Sequence, residues 1–105
     1  MIRTIKPEEF ISTEDETIVI LDVRRSDDYR DSEETLSRAI WKDPSKVEEW
    51  ITSISKDRAV IIYCVWGGGV SNSIVDRLQA EGINTRFIEG GIEGFKKAGG
   101  TVVQK

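Results

Sequence analysis

Two stretches constrain the fold more than any other feature: Ile18-Val19-Ile20-Leu21-Asp22-Val23 and Ala59-Val60-Ile61-Ile62-Tyr63. Both are near-continuous runs of β-branched or aliphatic residues, without the alternation that a strand with one wet face would show. Such runs fit parallel strands covered on both sides. Thr85-Arg86-Phe87-Ile88 is a shorter strand candidate, and Ile2 to Ile5 and Thr101 to Val103 are expected to pair at an edge. Helical patterns lie between the strands. Val47, Trp50, Ile51 and Ile54 follow i, i+3, i+4, i+7 behind Ser45-Lys46-Val47-Glu48, which has capping-box form. Ile74, Val75 and Leu78 share one face of a helix expected over 71–81, which Gly82 is placed to end. Gly91 to Ala98 carries Ile92 and Phe95 ahead of Gly99 and Gly100, and Pro7 suits the first position of a short helix through Phe10. Strands alternating with helices indicate an α/β domain in three layers, a mostly parallel central sheet flanked by helices. Ser32 to Pro44 is the least regular segment. No repeat, low-complexity tract or linker divides residues 1–105, which read as a single domain.

Composition excludes more than it selects. Net charge is −4 with basic residues scattered among acidic ones, so no nucleic-acid partner is expected. No apolar run approaches the roughly 20 residues of a membrane span. The stretch Met1-Ile2-Arg3-Thr4-Ile5-Lys6-Pro7 lacks an apolar leader segment, so a cytoplasmic location without membrane contact is expected. Cys64 is the one cysteine, which rules out an internal disulfide and a multi-cysteine zinc site. There is no histidine. Ser-His and Cys-His pairs, His-ligated metals and imidazole proton shuttles are therefore unavailable within this chain. Any chemistry must run without imidazole.

Cys64 ends the second apolar run, and Gly67-Gly68-Gly69 follows it closely. In parallel sheets, ligands bind beyond the carboxyl ends of the strands. Amides at the start of the following helix are unpaired, and the helix dipole favours negative charge near them. Glycines tolerate positive φ and can turn several amides toward one centre. The arrangement suits a nucleophilic cysteine and an anion attached to its sulfur. The alternative is a small buried hydrophobe beside a tight turn. Position alone leaves the two open.

Further motifs distinguish them. Leu21-Asp22-Val23-Arg24 precedes Asp28-Tyr29; then come Cys64 with its glycine loop, Ile88-Glu89-Gly90-Gly91-Ile92, and Phe95-Lys96-Lys97-Ala98-Gly99. This ordered set, from about Ile18 to Gly99, resembles the single-domain rhodanese family. The resemblance implies a rhodanese-like fold and a sulfurtransferase of thiosulfate sulfurtransferase type. Cys64 would take a sulfane sulfur from a small donor or a persulfide-bearing protein and pass the persulfide sulfur to an acceptor. It implies no metal and no organic cofactor. Carried over by position, Cys64 is the nucleophile and persulfide carrier. Val65, Trp66, Gly67, Gly68, Gly69, Val70 and Ser71 form the substrate and persulfide cradle. Asp22 and Arg24 lie at the active-site edge. Arg24 is expected to pair with Asp28, with substrate contact as its second role. Glu89-Gly90-Gly91 is expected to shape the turn into the last helix, and Asp27 and Asp28 to favour a helix start after Ser26.

Two departures from the family pattern carry information. The family's Gly-His-Ile-x-Gly-Ala stretch stands here as Glu34-Thr35-Leu36-Ser37-Arg38-Ala39. The common loop is Cys-Arg-x-Gly-x-Arg-Ser, whereas here Ser71 is the seventh residue after Cys64 and no Lys or Arg lies between. That length resembles the loop of rhodanese-fold phosphatases and related arsenate reductases, which close it with an arginine; Val70 occupies that place here. Phosphatase or arsenate-reductase chemistry is therefore the least favoured function, behind sulfur transfer and a catalytically weak sulfur-carrier or interaction module. An uncharged loop on an acidic protein meets dianionic thiosulfate poorly, so weak thiosulfate turnover and a less charged or protein-borne donor are expected. Trp66 is placed either at the rim as a donor surface or folded back as packing. Trp50 belongs to the core by its helical stripe, and Trp41 packs under the irregular segment or lines the pocket.

Overall fold

The computed structural model describes residues 2–13 and 15–105, so Met1 of the N-terminal stretch lies outside it. Seven strands and five α-helices alternate along the described chain: β1 (Thr4–Ile5), α1 (Pro7–Ile11), β2 (Val19–Asp22), α2 (Ser26–Arg30), β3 (Glu34–Thr35), β4 (Ile40–Trp41), α3 (Val47–Trp50), β5 (Val60–Tyr63), α4 (Gly69–Ala80), β6 (Thr85–Ile88), α5 (Gly91–Lys97) and β7 (Val103–Gln104). Five strands form one sheet in the order β1-β6-β5-β2-β4, and every pair in it is parallel. β3 and β7 form a separate antiparallel pair.

The unbroken apolar runs are explained by the two cores. Leu21, Val23, Val60, Ile62 and Phe87 face one way, onto Trp50 and Ile51 and onto Ile74, Val75 and Leu78 of α4. Ile5, Ile20, Ile61, Tyr63 and Ile88 face the other way, onto Leu36 and onto Ile92 and Phe95 of α5. Period-two alternation thus feeds two apolar faces, and neither face of the central strands is left polar.

Four local expectations need correction. The edge segments do not pair with each other. β1 joins β6, with Phe87 and Glu89 amides donating to the Arg3 and Ile5 carbonyls. The C-terminal segment instead turns back at Gly100, whose amide bonds Phe95 O and which lies too close to the Phe95 ring for any side chain; it then pairs with Glu34–Thr35. Ser45 is not a cap. Asp43 holds the turn, accepting from the Ser45 amide at 2.9 Å and its hydroxyl at 2.8 Å, because Pro44 keeps Asp43 extended over the amide that follows. Glu48 instead pairs with Arg77. The helix expected over 71–81 begins at Gly69, inside the glycine run, and Gly82 ends it at φ +84° as expected. Finally, the irregular 32–44 segment contains β3 and β4, strands too short to show a pattern. Arg38, standing where the family has glycine, has φ +68°, and its guanidinium donates to the Glu16 and Ile18 carbonyls. Those bonds offset a backbone conformation that costs about 1 kcal/mol or more for a non-glycine residue.

This topology fixes where a ligand can sit. From β2 the chain moves outward to β4, whereas from β5 it moves the opposite way to β6. Strand order therefore reverses between β2 and β5, opening a crevice at their carboxyl ends. The residues that follow these two ends are Val23 to Arg25 and Cys64 to Gly68.

Candidate active site

Cys64 is the first residue beyond β5, and it is buried. Its backbone is held from above by α5. The Ile92 amide donates to Cys64 O at 2.9 Å and the Glu93 amide to Val65 O at 3.2 Å. Gly91 at φ +63° makes this approach possible, since a Cβ there would overlap both of those carbonyls. Gly90 also has positive φ and caps α5, so Glu89-Gly90-Gly91 shapes the turn as expected.

The side chain of Cys64 meets donors from the loop. The Gly67 amide donates to Sγ at 3.2 Å and the Ser71 hydroxyl at 3.0 Å. Gly67, at φ +73°, presses against the backbone of Gly90 and Gly91, which leaves no room for a side chain. Gly68 is the N-cap of α4, and its carbonyl accepts the first helical bond, from Asn72. The amides of Gly69, Val70 and Ser71 thus form a first turn with no helical carbonyl to reach. Beside Sγ lies a cavity of about 180 Å³, whose walls include Val65, Trp66, Gly68, Gly69 and Val70. Every loop residue of the expected cradle either lines this cavity or bonds the sulfur.

The remaining walls come from the end of β2 and the start of α2: Arg24, Arg25 and Asp28. Arg24 reaches the cavity edge, but it pairs with Asp22 and not with Asp28. Its Nη2 and Nε lie 2.7 and 3.0 Å from the Asp22 carboxylate, and Nη2 also donates to Glu34 O at 2.9 Å. The reason is strand geometry, which puts residues i and i+2 on one side. Asp22 and Arg24 are both almost fully buried. Burial works against the Arg24 charge, but the hydrogen bonds and charge of Asp22 outweigh it and raise the guanidinium's pKa above its ordinary value. Asp22 lies beneath the site as the partner of Arg24 and does not wall the cavity. Arg25 was missed by sequence reasoning. It reaches the cavity because β2 lies beside β5, a pairing that no local sequence pattern records.

Trp66 is 63% exposed at the rim, with Lys97 Nζ 5.7 Å from its ring centroid, so it is not packed back against the domain. Trp50 is core, its Nε1 bonded to Asp43 O. Trp41 stacks on Tyr29 at 4.8 Å and donates to Arg24 O, bracing the β2 end without lining the cavity. Tyr63 underlies Cys64, fully buried, with its hydroxyl 2.9 Å from the Thr35 hydroxyl and accepting from the Leu36 amide.

An all-parallel five-stranded α/β sheet with a lone thiol under a glycine-rich helix start defines a class that comparison with known proteins makes specific. Residues 7–98 match the rhodanese-like domain family, and the chain belongs to it. It is similar to the thiosulfate sulfurtransferase GlpE of Coxiella burnetii, with 32% identity over 80 residues, covering 75% of this chain and 72% of the relative. A rhodanese-related protein from Thermoplasma volcanium shares the fold at TM-score 0.86 and 23% identity, covering 98% of this chain and 99% of that one. A rhodanese-like domain protein from Staphylococcus aureus does so at 0.82 and 22%, covering 99% of each chain. No helix among the described residues is long and apolar enough to cross a membrane.

Proposed function

We propose that this chain is a sulfurtransferase in which Cys64 alternates between thiolate and persulfide. The observation that carries the reading is the setting of Ser71. Its hydroxyl is completely buried, and the hydrogen bond it makes among the described residues is to Cys64 Sγ. A buried hydroxyl aimed at sulfur, with the Gly67 amide beside it, stabilises negative charge on that atom. The kinship with a thiosulfate sulfurtransferase supports the same chemistry.

In the first half-reaction the Cys64 thiolate attacks the sulfane sulfur of the donor. The donor's S–S bond breaks and its leaving group departs with the electron pair. In the second, a thiophilic acceptor takes the outer sulfur and the thiolate returns. Neither half requires imidazole, metal or organic cofactor. The cavity of about 180 Å³ has room for the added sulfur and a small donor. A reducing cytoplasm suits a lone thiol that must stay unpaired between turnovers. Val70 at the oxyanion-clamp position weighs against phosphatase chemistry, since no guanidinium closes the loop there.

Intact-mass measurement after incubation with thiosulfate or polysulfide tests the reading. The wild type should gain one sulfur atom and Cys64→Ala none, and cyanide should discharge the loaded protein at catalytic rates. Loading without turnover would favour a sulfur-carrier module, and failure to load from any donor would remove the enzymatic reading.

A further inference from the structure

We propose that Arg25 supplies the positive charge that the Cys64 loop lacks, and that it makes the pocket selective for small donors with an anionic sulfonate-type end. The inference rests on the sulfur-transfer reading above.

No Lys or Arg lies between Cys64 and Ser71, which by itself leaves a thiosulfate dianion poorly met. The cavity is nevertheless bordered by two arginines from the neighbouring strand end. They differ sharply. Arg24 is buried and bonded to Asp22 and to Glu34 O, so its charge is neutralised within the fold. Arg25 is exposed, and among the described residues it makes no ion pair and donates no side-chain hydrogen bond. Arg25 also borders a larger groove of about 880 Å³, together with Gly69 and Val70, which line both spaces. Arg25, Gly69 and Val70 are thus common to the walls of both spaces.

The size of the pocket selects among donors. About 180 Å³ is below the roughly 300–1,000 Å³ of sites for larger organic ligands. It suits a donor of a few heavy atoms, not a peptide. The opposing charge is Asp28, which lines the same cavity and makes no ion pair among the described residues. Arg25 and Asp28 thus set opposite preferences for donor charge. With thiosulfate, the Cys64 thiolate attacks the outer sulfur, the S–S bond breaks, and sulfite leaves with the bonding pair. The total charge of −3 is conserved as persulfide anion plus sulfite dianion. A guanidinium at the sulfonate end would pair with the donor and with the departing sulfite.

Steady-state kinetics with thiosulfate, a dianion, and benzenethiosulfonate, a monoanion, provide the test. Arg25→Ala should lower kcat/KM for thiosulfate about tenfold, mainly through KM, and should flatten its decline with added salt. The loss for benzenethiosulfonate should be smaller. Arg25→Lys should restore most of the thiosulfate activity, and Asp28→Asn should raise it, with thermal midpoints close to wild type throughout. Equal losses in the Lys and Ala variants would show a structural role and overturn the inference. So would kcat/KM values for Arg25→Ala and Asp28→Asn indistinguishable from wild type, provided the wild type loads sulfur on Cys64. A wild type that never loads sulfur would instead overturn the sulfurtransferase reading itself.

Discussion

Asp22 and Arg24 bury opposite charges side by side at the end of β2, with Glu34 O as a further acceptor. Removing one partner of such a pair strands the other in a low-dielectric site. Asp22→Asn should therefore cost roughly 3 kcal/mol, read as a lower urea midpoint, with Asp28→Asn near neutral as the control. An equal cost for the two variants would mean that Arg24 leans on Asp28 after all. The residue scale also shows where sequence reading stops. Cys64 was legible because a lone thiol closes a buried strand. Arg24 pairs with Asp22 and not with the expected Asp28, because strand spacing still governs it. Arg25 was invisible because its role depends on which strand lies beside β5, and neither residue's neighbourhood in sequence records that.

At the scale of elements, the site is a joint between two helix starts. α4 brings the Ser71 hydroxyl onto the sulfur from its first turn, while α5 clasps the Cys64 and Val65 carbonyls through Ile92 and Glu93. The clasp needs Gly91, whose φ of +63° and backbone contacts exclude a side chain. Gly91→Ala should cost about 1–3 kcal/mol and slow sulfur loading, because relieving the overlap displaces the Cys64 carbonyl. Gly69, also in the loop region, has negative-φ helical backbone and open space around a would-be Cβ. Gly69→Ala should hold or raise the thermal midpoint. Thermal melts of the two variants separate a glycine required by packing from one that is not. Helix identities were legible from apolar spacing, whereas the start of α4 was placed two residues late. Glycine reads as loop by propensity, whereas here the helix begins inside the glycine run.

For the whole molecule, Tyr63 ties the central strand to the irregular segment through Thr35 and Leu36. Burial, and next the Asp22 carboxylate, push its phenol pKa up to about 12. The unfolded phenol titrates near 10, so its contribution to stability is present below about pH 10 and is lost as pH rises through 12. Thermal midpoints should fall less steeply from pH 10 to 12 in Tyr63→Phe than in wild type; parallel falls would contradict the buried-phenol account. At neutral pH the same variant should cost about 1–2 kcal/mol for the hydrogen bonds lost. The sequence by itself determined the layered α/β class, the two long central strands, the apolar faces of the helices and the identity of the thiol. Each of these is written in local periodicity or in a unique residue. Tertiary structure alone decided the strand order β1-β6-β5-β2-β4, the destinations of the short strands, and the meeting of Arg25 with Cys64. Those depend on which distant segments pair, and strands of two residues carry too little pattern to announce their partners.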